Sequence, residues 1–239
     1  MSKKVCIDAG HGGHDNGATG NGLREKDLNL SIALEVGKIL KTHNVDVVYT
    51  RTTDVFISLS ERANIANRAG VDLFTSIHVN AGGGSSANGV EVFSYPSSVK
   101  GMKLSKDVLS EILASKIFKT NRGNKTANFA VLRLTSMASI LTETGFIDHS
   151  GDSVILKTRL NDIALAIAKG ILKNLGVKYI PQDSKPVTPS KPTTTHFAEN
   201  DFKELNEKGI VVHEKRFDDK ITRGEVFTLL NQAVKKKMI

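Results

Sequence analysis

The chain alternates short, β-prone apolar runs with longer stretches of helical periodicity between residues 4 and 174. The pattern predicts strands over residues 4–7, 46–49, 73–79, 89–95, 129–133 and 139–142, and helices over residues 27–42, 58–70, 101–119 and 159–174. Strands that alternate with helices build a sheet with helices on both of its faces. We therefore expect an α/β fold with a twisted, mainly parallel or mixed sheet flanked by helices on both faces.

Two of the predicted strands lead into a histidine. His11 follows the first run within the segment IDAGHGG of residues 7–13, and His78 follows the run that starts at Leu73. Both imidazoles should lie at the ends of neighbouring strands, where α/β proteins usually build their sites. Glu25, just ahead of the first helix, can reach the same edge. Two imidazoles and one carboxylate make a three-ligand zinc site that leaves an open position for water.

Hydrolysis at such a metal also needs a group that moves protons. Glu143 is the best candidate, because it ends another apolar strand in the segment ILTETGF of residues 140–146 and would face the same edge as His11 and His78. His14 competes with His11 for the ligand position, because its loop could fold back towards the site.

Prolines mark the main boundary in the chain. Four of the five prolines fall within residues 180–195, a Pro/Thr/Ser-rich stretch that cannot build a packed core and is typical of an extended linker. We therefore predict a catalytic domain over residues 1–179, the linker over residues 180–195 and a small helical C-terminal module over residues 196–239.

Composition and charge limit the kinds of partner that the protein can bind. The net charge of +8 favours a polyanion such as nucleic acid, an anionic membrane or an anionic cell-wall polymer. Aromatic residues make up only 5% and no helix-turn-helix or RNP-like motif occurs, which argues against nucleic acid. No apolar run approaches the roughly 20 residues that span a bilayer, so we expect no membrane span. The single cysteine, Cys6, excludes an intramolecular disulfide and is expected to be a small buried residue.

Eight motifs in order carry a resemblance to a known family. They are IDAGHGG at residues 7–13, REKDLN at 24–29, TRTTD at 50–54, LSERANIAN at 59–67, SIHVNA at 76–81, GVEV at 89–92, NRG at 121–123 and LTETGF at 141–146. This succession resembles the zinc-dependent N-acetylmuramoyl-L-alanine amidases of bacterial autolysins and phage endolysins, over essentially all of residues 4–175.

The resemblance implies that His11, Glu25 and His78 bind one zinc ion per catalytic domain and that Glu143 is the catalytic glutamate. The substrate would be peptidoglycan, cut by zinc-activated water at the amide between N-acetylmuramic acid and the L-alanine of the stem peptide. Residues 147–149 (IDH) depart from the family pattern, in which a hydrophobic residue, serine and asparagine are frequent. This departure concerns loop contacts to substrate rather than the metal site.

The C-terminal segment resembles a different type of module. The sequence ITRGE at residues 221–225 opens an apolar pattern similar to one S-layer homology module, a type that binds anionic secondary cell-wall polymers. The resemblance implies wall binding through residues 196–239, and a single copy could be stabilised by dimerisation. The alternatives are a helical wall-binding domain of different ancestry and a helical pair that only solubilises the enzyme or packs on it.

Two other functions remain to be distinguished from the amidase. One is a zinc peptidase that cuts within the stem peptide, and the other is a catalytically inactive cell-wall-binding protein. The sequence MSKK enters the first strand at once and leaves no room for a signal peptide. We therefore expect synthesis in the cytoplasm and action on the wall after release through a separate pore or on lysis, as for a phage endolysin or an autolysin.

Overall fold

The computed structural model describes residues 2–82 and 86–181. Its strands are β1 (Lys3–Ala9), β2 (Thr19–Gly20), β3 (Leu23–Arg24), β4 (Val45–Tyr49), β5 (Leu73–Asn80), β6 (Val90–Ser94), β7 (Asn121–Thr126) and β8 (Ala138–Phe146). Its helices are α1 (Glu25–Lys41), α2 (Leu59–Ala69), α3 (Val99–Ala114), α4 (Ala130–Leu134), α5 (Ser150–Thr158) and α6 (Leu160–Leu175). The predicted linker beyond residue 181 and the predicted module over residues 196–239 lie outside the described residues.

Six strands form one mixed sheet in the order β4-β1-β5-β8-β6-β7. β1 pairs parallel with both β4 and β5, and β5 pairs parallel with β8. β6 runs antiparallel to β8 and pairs parallel with β7 at the far edge. The prediction of a mixed sheet is therefore confirmed. The three central strands end at one edge, which carries the predicted site residues.

Helices cover both faces of the sheet, as the alternating pattern predicts. α1, α3 and α6 pack on the face that carries Val5 and Ile7, and they form the larger part of the core. α2 and α4 pack on the other face, over Cys6, Phe74 and Leu141. Cys6 is fully buried, which confirms its expected role as a small core residue. Burial, with a smaller contribution from the nearby Asp8 carboxylate, raises the pKa of its thiol.

Local sequence signals explain where several helices begin and end. The side chain of Ser58 accepts a hydrogen bond of 3.3 Å from the backbone N–H of Glu61 and so caps the start of α2. Gly70 ends the same helix in the left-handed conformation, with φ of 57°. α1 begins at Glu25, slightly earlier than predicted, so this residue lies in the first turn of the helix rather than ahead of it.

The strand predicted over residues 129–133 is wrong. Ala130–Leu134 is the short helix α4, which buries Val131 and Leu132 beneath it. A short apolar run has the same appearance in a strand and in a buried helical turn, so periodicity could not decide between them. Within the described residues, no helix is both long and apolar enough to cross a membrane.

Candidate active site

The four predicted site residues meet at the carboxyl edge of the central strands. His11 lies two residues beyond β1, and His78 lies near the end of the neighbouring strand β5. Glu143 in β8 is the register partner of His78. Glu25 is the first residue of α1, and its side chain joins the two histidines at the same edge. The sheet topology thus brings together residues that are up to 132 positions apart in the sequence.

His11, Glu25 and His78 form one cluster whose nitrogen and oxygen ligand atoms all lie within 4.8 Å of one another. Glu25 Oε1 lies 3.2 Å from His11 Nε2 and 2.9 Å from His78 Nδ1. The two imidazole rings meet edge to face, with their centroids 4.9 Å apart. The ring of His14 lies outside this cluster, against the ring of Phe56 at 4.2 Å.

Hydrogen bonds from neighbouring groups orient each member of the cluster. Asp15 Oδ2 lies 2.9 Å from His11 Nδ1, which leaves His11 Nε2 directed at the cluster. Glu25 Oε2 accepts from the backbone N–H of Ala18 at 2.8 Å, and Asn29 Nδ2 donates to Oε1 at 3.2 Å. Such outer contacts fix the orientation of metal ligands in proteins. Asp15 and Asn29 were not predicted as site residues, although a carboxylate four residues after His11 was a signal for the first.

Two glycines allow the cluster to close. A Cβ atom on Gly10 would lie 2.3–2.8 Å from three atoms of the His78 ring. A Cβ atom on Gly17 would lie 2.6 Å from both Glu25 Oε2 and His11 Cδ2. Since real Cβ atoms do not approach other atoms so closely, the glycine-rich loop after β1 is a packing requirement of the cluster.

Two buried arginines hold the backbone of this loop. Arg62 donates to the carbonyl oxygens of Ala9 and His11, and to Asp8 Oδ1 at 2.8 Å. Arg51 donates to the carbonyl oxygen of Gly10 at 2.8 Å, and also to that of Ala9. The motifs TRTTD and LSERANIAN contain these arginines, but their sequence gave no reason to assign them this role. They fix a loop in which His11 has a positive φ of 60°, an uncommon value for a residue other than glycine.

The electrostatics of the cluster favour a cation. Burial would raise the pKa of Glu25, but hydrogen bonds and charge from the two imidazoles hold it well below its usual range. Burial would lower the pKa of the His11 imidazole, but the hydrogen bonds and negative charges of Glu25 and Asp15 raise it to about 9. The ionised Glu25 carboxylate thus favours positive charge at the cluster, and a metal ion bound there would displace the proton of the His11 imidazole.

Glu143 has a different environment from Glu25. Burial raises its pKa to about 7; the His78 ring opposes this shift and the charge of Glu25 adds to it. Its Oε2 atom is buried and has no hydrogen-bond partner among the described residues. A carboxyl group that titrates near neutral pH can both accept and donate a proton.

A cavity of about 450 Å³ opens in front of the cluster. Its floor includes Glu143 and both imidazoles, and its rim includes the partly exposed apolar side chains of Phe56, Leu59 and Phe129. The cavity is therefore large enough for an extended substrate to reach Glu143.

The donor set fits zinc. Zinc in hydrolases is held by three nitrogen or oxygen ligands in a tetrahedral arrangement, with the fourth position open. His11, Glu25 and His78 supply two nitrogens and one oxygen, which all lie within 4.8 Å of one another. Glu143, whose buried Oε2 has no hydrogen-bond partner among the described residues, lines the adjoining cavity, where a proton-transfer group is needed.

Comparisons with known proteins agree on one family. The model of a family described as N-acetylmuramoyl-L-alanine amidase matches residues 5–173. The amidase CwlM of Bacillus licheniformis is 42% identical over 174 residues, which are 71% of this chain and 68% of the relative. An endolysin of Bacillus phage SPP1 is 42% identical over 204 residues, which are 81% of this chain and 74% of the relative.

Solved structures agree with the sequence relatives. The amidase AmiC2 of Nostoc punctiforme superposes with a TM-score of 0.70 at 43% identity, covering 73% of this chain and 97% of the other. The catalytic domain of the amidase CwlV from Bacillus (Paenibacillus) polymyxa gives a TM-score of 0.69 at 36% identity, covering 74% of this chain and 99% of the other.

Proposed function

Because the chain belongs to the N-acetylmuramoyl-L-alanine amidase family, we propose that His11, Glu25 and His78 hold one zinc ion and that Glu143 moves the protons of the reaction there. The protein is a peptidoglycan amidase that cleaves the bond between N-acetylmuramic acid and L-alanine. The observation that carries the zinc proposal is the convergence of three ligand atoms within 4.8 Å of one another, beside a glutamate whose buried oxygen has no partner in the described part of the chain.

When bound, zinc would lower the pKa of a coordinated water and polarise the scissile carbonyl group. Glu143 accepts a proton from the attacking water and later donates that proton to the nitrogen of the leaving L-alanine. Its pKa of about 7 suits both steps, since neither the protonated nor the ionised form is strongly favoured near neutral pH. Glu25 stays ionised and keeps its charge for the metal.

The cavity and the loop after β1 have separate tasks in this mechanism. The apolar rim formed by Phe56, Leu59 and Phe129 reduces the water around the scissile bond. Asp15 holds the Nδ1 side of the His11 ring, so that Nε2 is presented to the metal. Arg51 and Arg62 hold the backbone that carries His11.

Metal removal tests the zinc proposal. The purified full chain should contain about one zinc per chain, lose lytic activity to a chelator and regain it when zinc is added back. His78→Ala should lose both zinc and activity. The matched variant His14→Ala should keep both, because His14 lies outside the cluster. Full activity in metal-free protein would exclude the mechanism, and loss of zinc only in His14→Ala would reassign the ligand.

Product analysis separates the amidase from a peptidase. Mass spectrometry of digested peptidoglycan should find intact stem peptides with a free L-alanine amino terminus. Peptides shortened within the stem would instead indicate a peptidase. Absence of any product in zinc-loaded protein would indicate an inactive wall-binding protein.

A further inference from the structure

Two cations on β7 contact Glu91, the neighbour of the proposed catalytic glutamate, and have no role in the mechanism. Glu91 in β6 is the register partner of Glu143 in β8, so the two carboxylates lie on the same face of the sheet. Glu91 Oε2 accepts a hydrogen bond of 2.8 Å from Arg122 Nε, and another from Lys125 Nζ. β6 and β7, which carry the motifs GVEV and NRG, thus place Arg122 and Lys125 around Glu91, one strand away from Glu143.

This group has more donors than its single carboxylate can use. The other oxygen of Glu91 already accepts from Asn80 Nδ2 at 2.8 Å. The terminal nitrogens of Arg122 form no hydrogen bond with the part of the chain that the structure describes. Two cations against one carboxylate leave a net positive charge. The Arg122 and Lys125 side chains are 31% and 39% exposed, whereas Glu91 is 6% exposed, so the free donors face solvent.

Aromatic rings support both cations. The guanidinium carbon of Arg122 lies 4.8 Å from the centre of the Phe146 ring, and Lys125 Nζ lies 5.8 Å from that of Phe93. These contacts and the shared Glu91 oxygen restrict the two side chains before any ligand arrives. A restricted pair of cations binds an anion with a smaller loss of side-chain entropy.

We propose that Arg122 and Lys125 bind a carboxylate of the stem peptide on the leaving-amine side of the scissile bond. The lactyl and N-acetyl groups on the sugar side are uncharged, whereas free carboxylates occur along the peptide. A guanidinium and an ammonium group together form charge-assisted hydrogen bonds with a carboxylate. The inference rests on the proposed function, because it assigns one part of the same substrate.

Paired substrates test this assignment. Two soluble muropeptides are compared that differ only at the α-carboxyl group of the second stem residue, a carboxylate in one and a carboxamide in the other. The wild type should favour the carboxylate by about tenfold in kcat/KM, mainly through KM, as expected for a partly exposed charged hydrogen bond. Arg122→Gln and Lys125→Gln should each remove most of this preference, measured as the ratio of kcat/KM between the two substrates for the same variant.

Two further variants serve as controls. Lys103→Gln removes an exposed lysine on α3, which packs on the other face of the sheet, and should keep the full preference. Lys125→Arg keeps the positive charge and should also keep the full preference for the carboxylate substrate. Zinc content and melting temperature are recorded for each variant, so that unfolding is recognised.

Three results would overturn the proposal. The first is no carboxylate preference in the wild type, and the second is a full preference in both glutamine variants. The third is an equal loss of activity on both substrates in these variants, which would show that the two cations only hold Glu91 in place. A zinc-loaded wild type that releases no peptide with an L-alanine amino terminus from either substrate would contradict the proposed function as well. The two failures are therefore distinguishable.

Discussion

Glu143 and Glu25 show how neighbouring carboxylates acquire different chemistry. Both are largely buried, and burial alone would raise the pKa of each carboxyl group. Glu25 receives hydrogen bonds from two imidazoles, which together with their charge reverse this shift, and from three backbone or amide donors. Glu143 has a buried oxygen without a partner among the described residues, so its pKa stays near 7. One group is suited to hold a cation and the other to exchange a proton.

Replacement of Glu143 by glutamine separates chemistry from binding. Glu143→Gln keeps the size of the side chain but cannot accept a proton from water, so hydrolysis should fall about 10²–10⁴-fold. Zinc content and sedimentation with walls should not change, because Glu143 is not among the three clustered ligands. Glu35→Gln on α1 is the matched control and should keep full activity. A Glu143→Gln enzyme within a few-fold of wild type would remove this residue from the proposed role.

The buried pair Asp8–Arg62 supports both the fold and the His11 loop. Burial would raise the pKa of Asp8, but the Arg62 charge and the hydrogen bonds of Ser76 and Thr50 keep it below its usual value. A carboxyl group with a lowered pKa stabilises the fold above its unfolded pKa, and this contribution is lost as pH falls through the folded pKa. The pair therefore makes unfolding sensitive to acid.

Asp8→Asn should lower the free energy of unfolding by about 3–5 kcal/mol at neutral pH, because it leaves a buried guanidinium without its counter-charge. The difference from wild type should shrink as pH falls below about 4, since Asp8 of the unfolded wild type then binds a proton that the folded wild type does not yet bind. Denaturant unfolding across this pH range measures both effects. Asp162→Asn, which breaks an exposed pair, should change the stability by at most about 1 kcal/mol. Equal effects of the two variants would contradict this account of Asp8.

At the scale of elements, the loop after β1 is where packing and metal binding meet. Gly10→Ala places a Cβ atom 2.3 Å from His78 Cε1, so either the ring or the loop must move. We expect loss of most zinc with a smaller loss of stability, measured by metal analysis and thermal unfolding.

Gly176→Ala is the control, because that position has a positive φ and no atom within 4 Å of the added Cβ. It should lower stability by about 1 kcal/mol and leave zinc content unchanged. Normal zinc content in Gly10→Ala would show that the loop adapts.

The elements also show what the sequence could predict. The central strands have continuous apolar runs, so β5 was predicted over nearly its whole length. β8 was predicted only over residues 139–142 and extends to Phe146, so Glu143 lies within this strand rather than at its end. β7 (NRGNKT) is a polar edge strand with no apolar alternation, and it was missed. α4 was assigned to a strand because its burial depends on α2, which local periodicity does not report.

The site follows the same division. His11, His78 and Glu143 were predicted to meet because neighbouring strands present their ends at one edge. The contacts of Asp15 and Arg62 depend on a loop with positive φ at His11, and no local pattern predicts that conformation. Residues held by strand ends were therefore predictable, and residues held by loop geometry were not.

At the scale of the whole molecule, positive charge is not confined to the C-terminal segment. Residues 1–181 contain 22 Lys and Arg against 16 Asp and Glu, so they carry +6 of the net +8. Removal of residues 182–239 therefore changes the net charge by only two. A change in wall binding on truncation would then reflect specific recognition rather than the loss of a general attraction to an anionic wall.

We propose that residues 196–239 direct the enzyme to the wall, with Arg223 engaging an anionic polymer group. Truncation after Pro181 should leave a zinc-loaded domain that cleaves small soluble muropeptides at the wild-type rate, since the matched region of the solved relatives corresponds to this part of the chain. The truncated protein should sediment poorly with intact walls, and its residual binding should disappear in high salt as exposed charges are screened.

The full chain should keep part of its binding to walls in high salt, and Arg223→Gln should reduce that part. Equal binding and lysis of intact cells by both proteins would refute the targeting role. Loss of activity on soluble fragments would instead make the segment a structural or dimerising element of the catalytic domain.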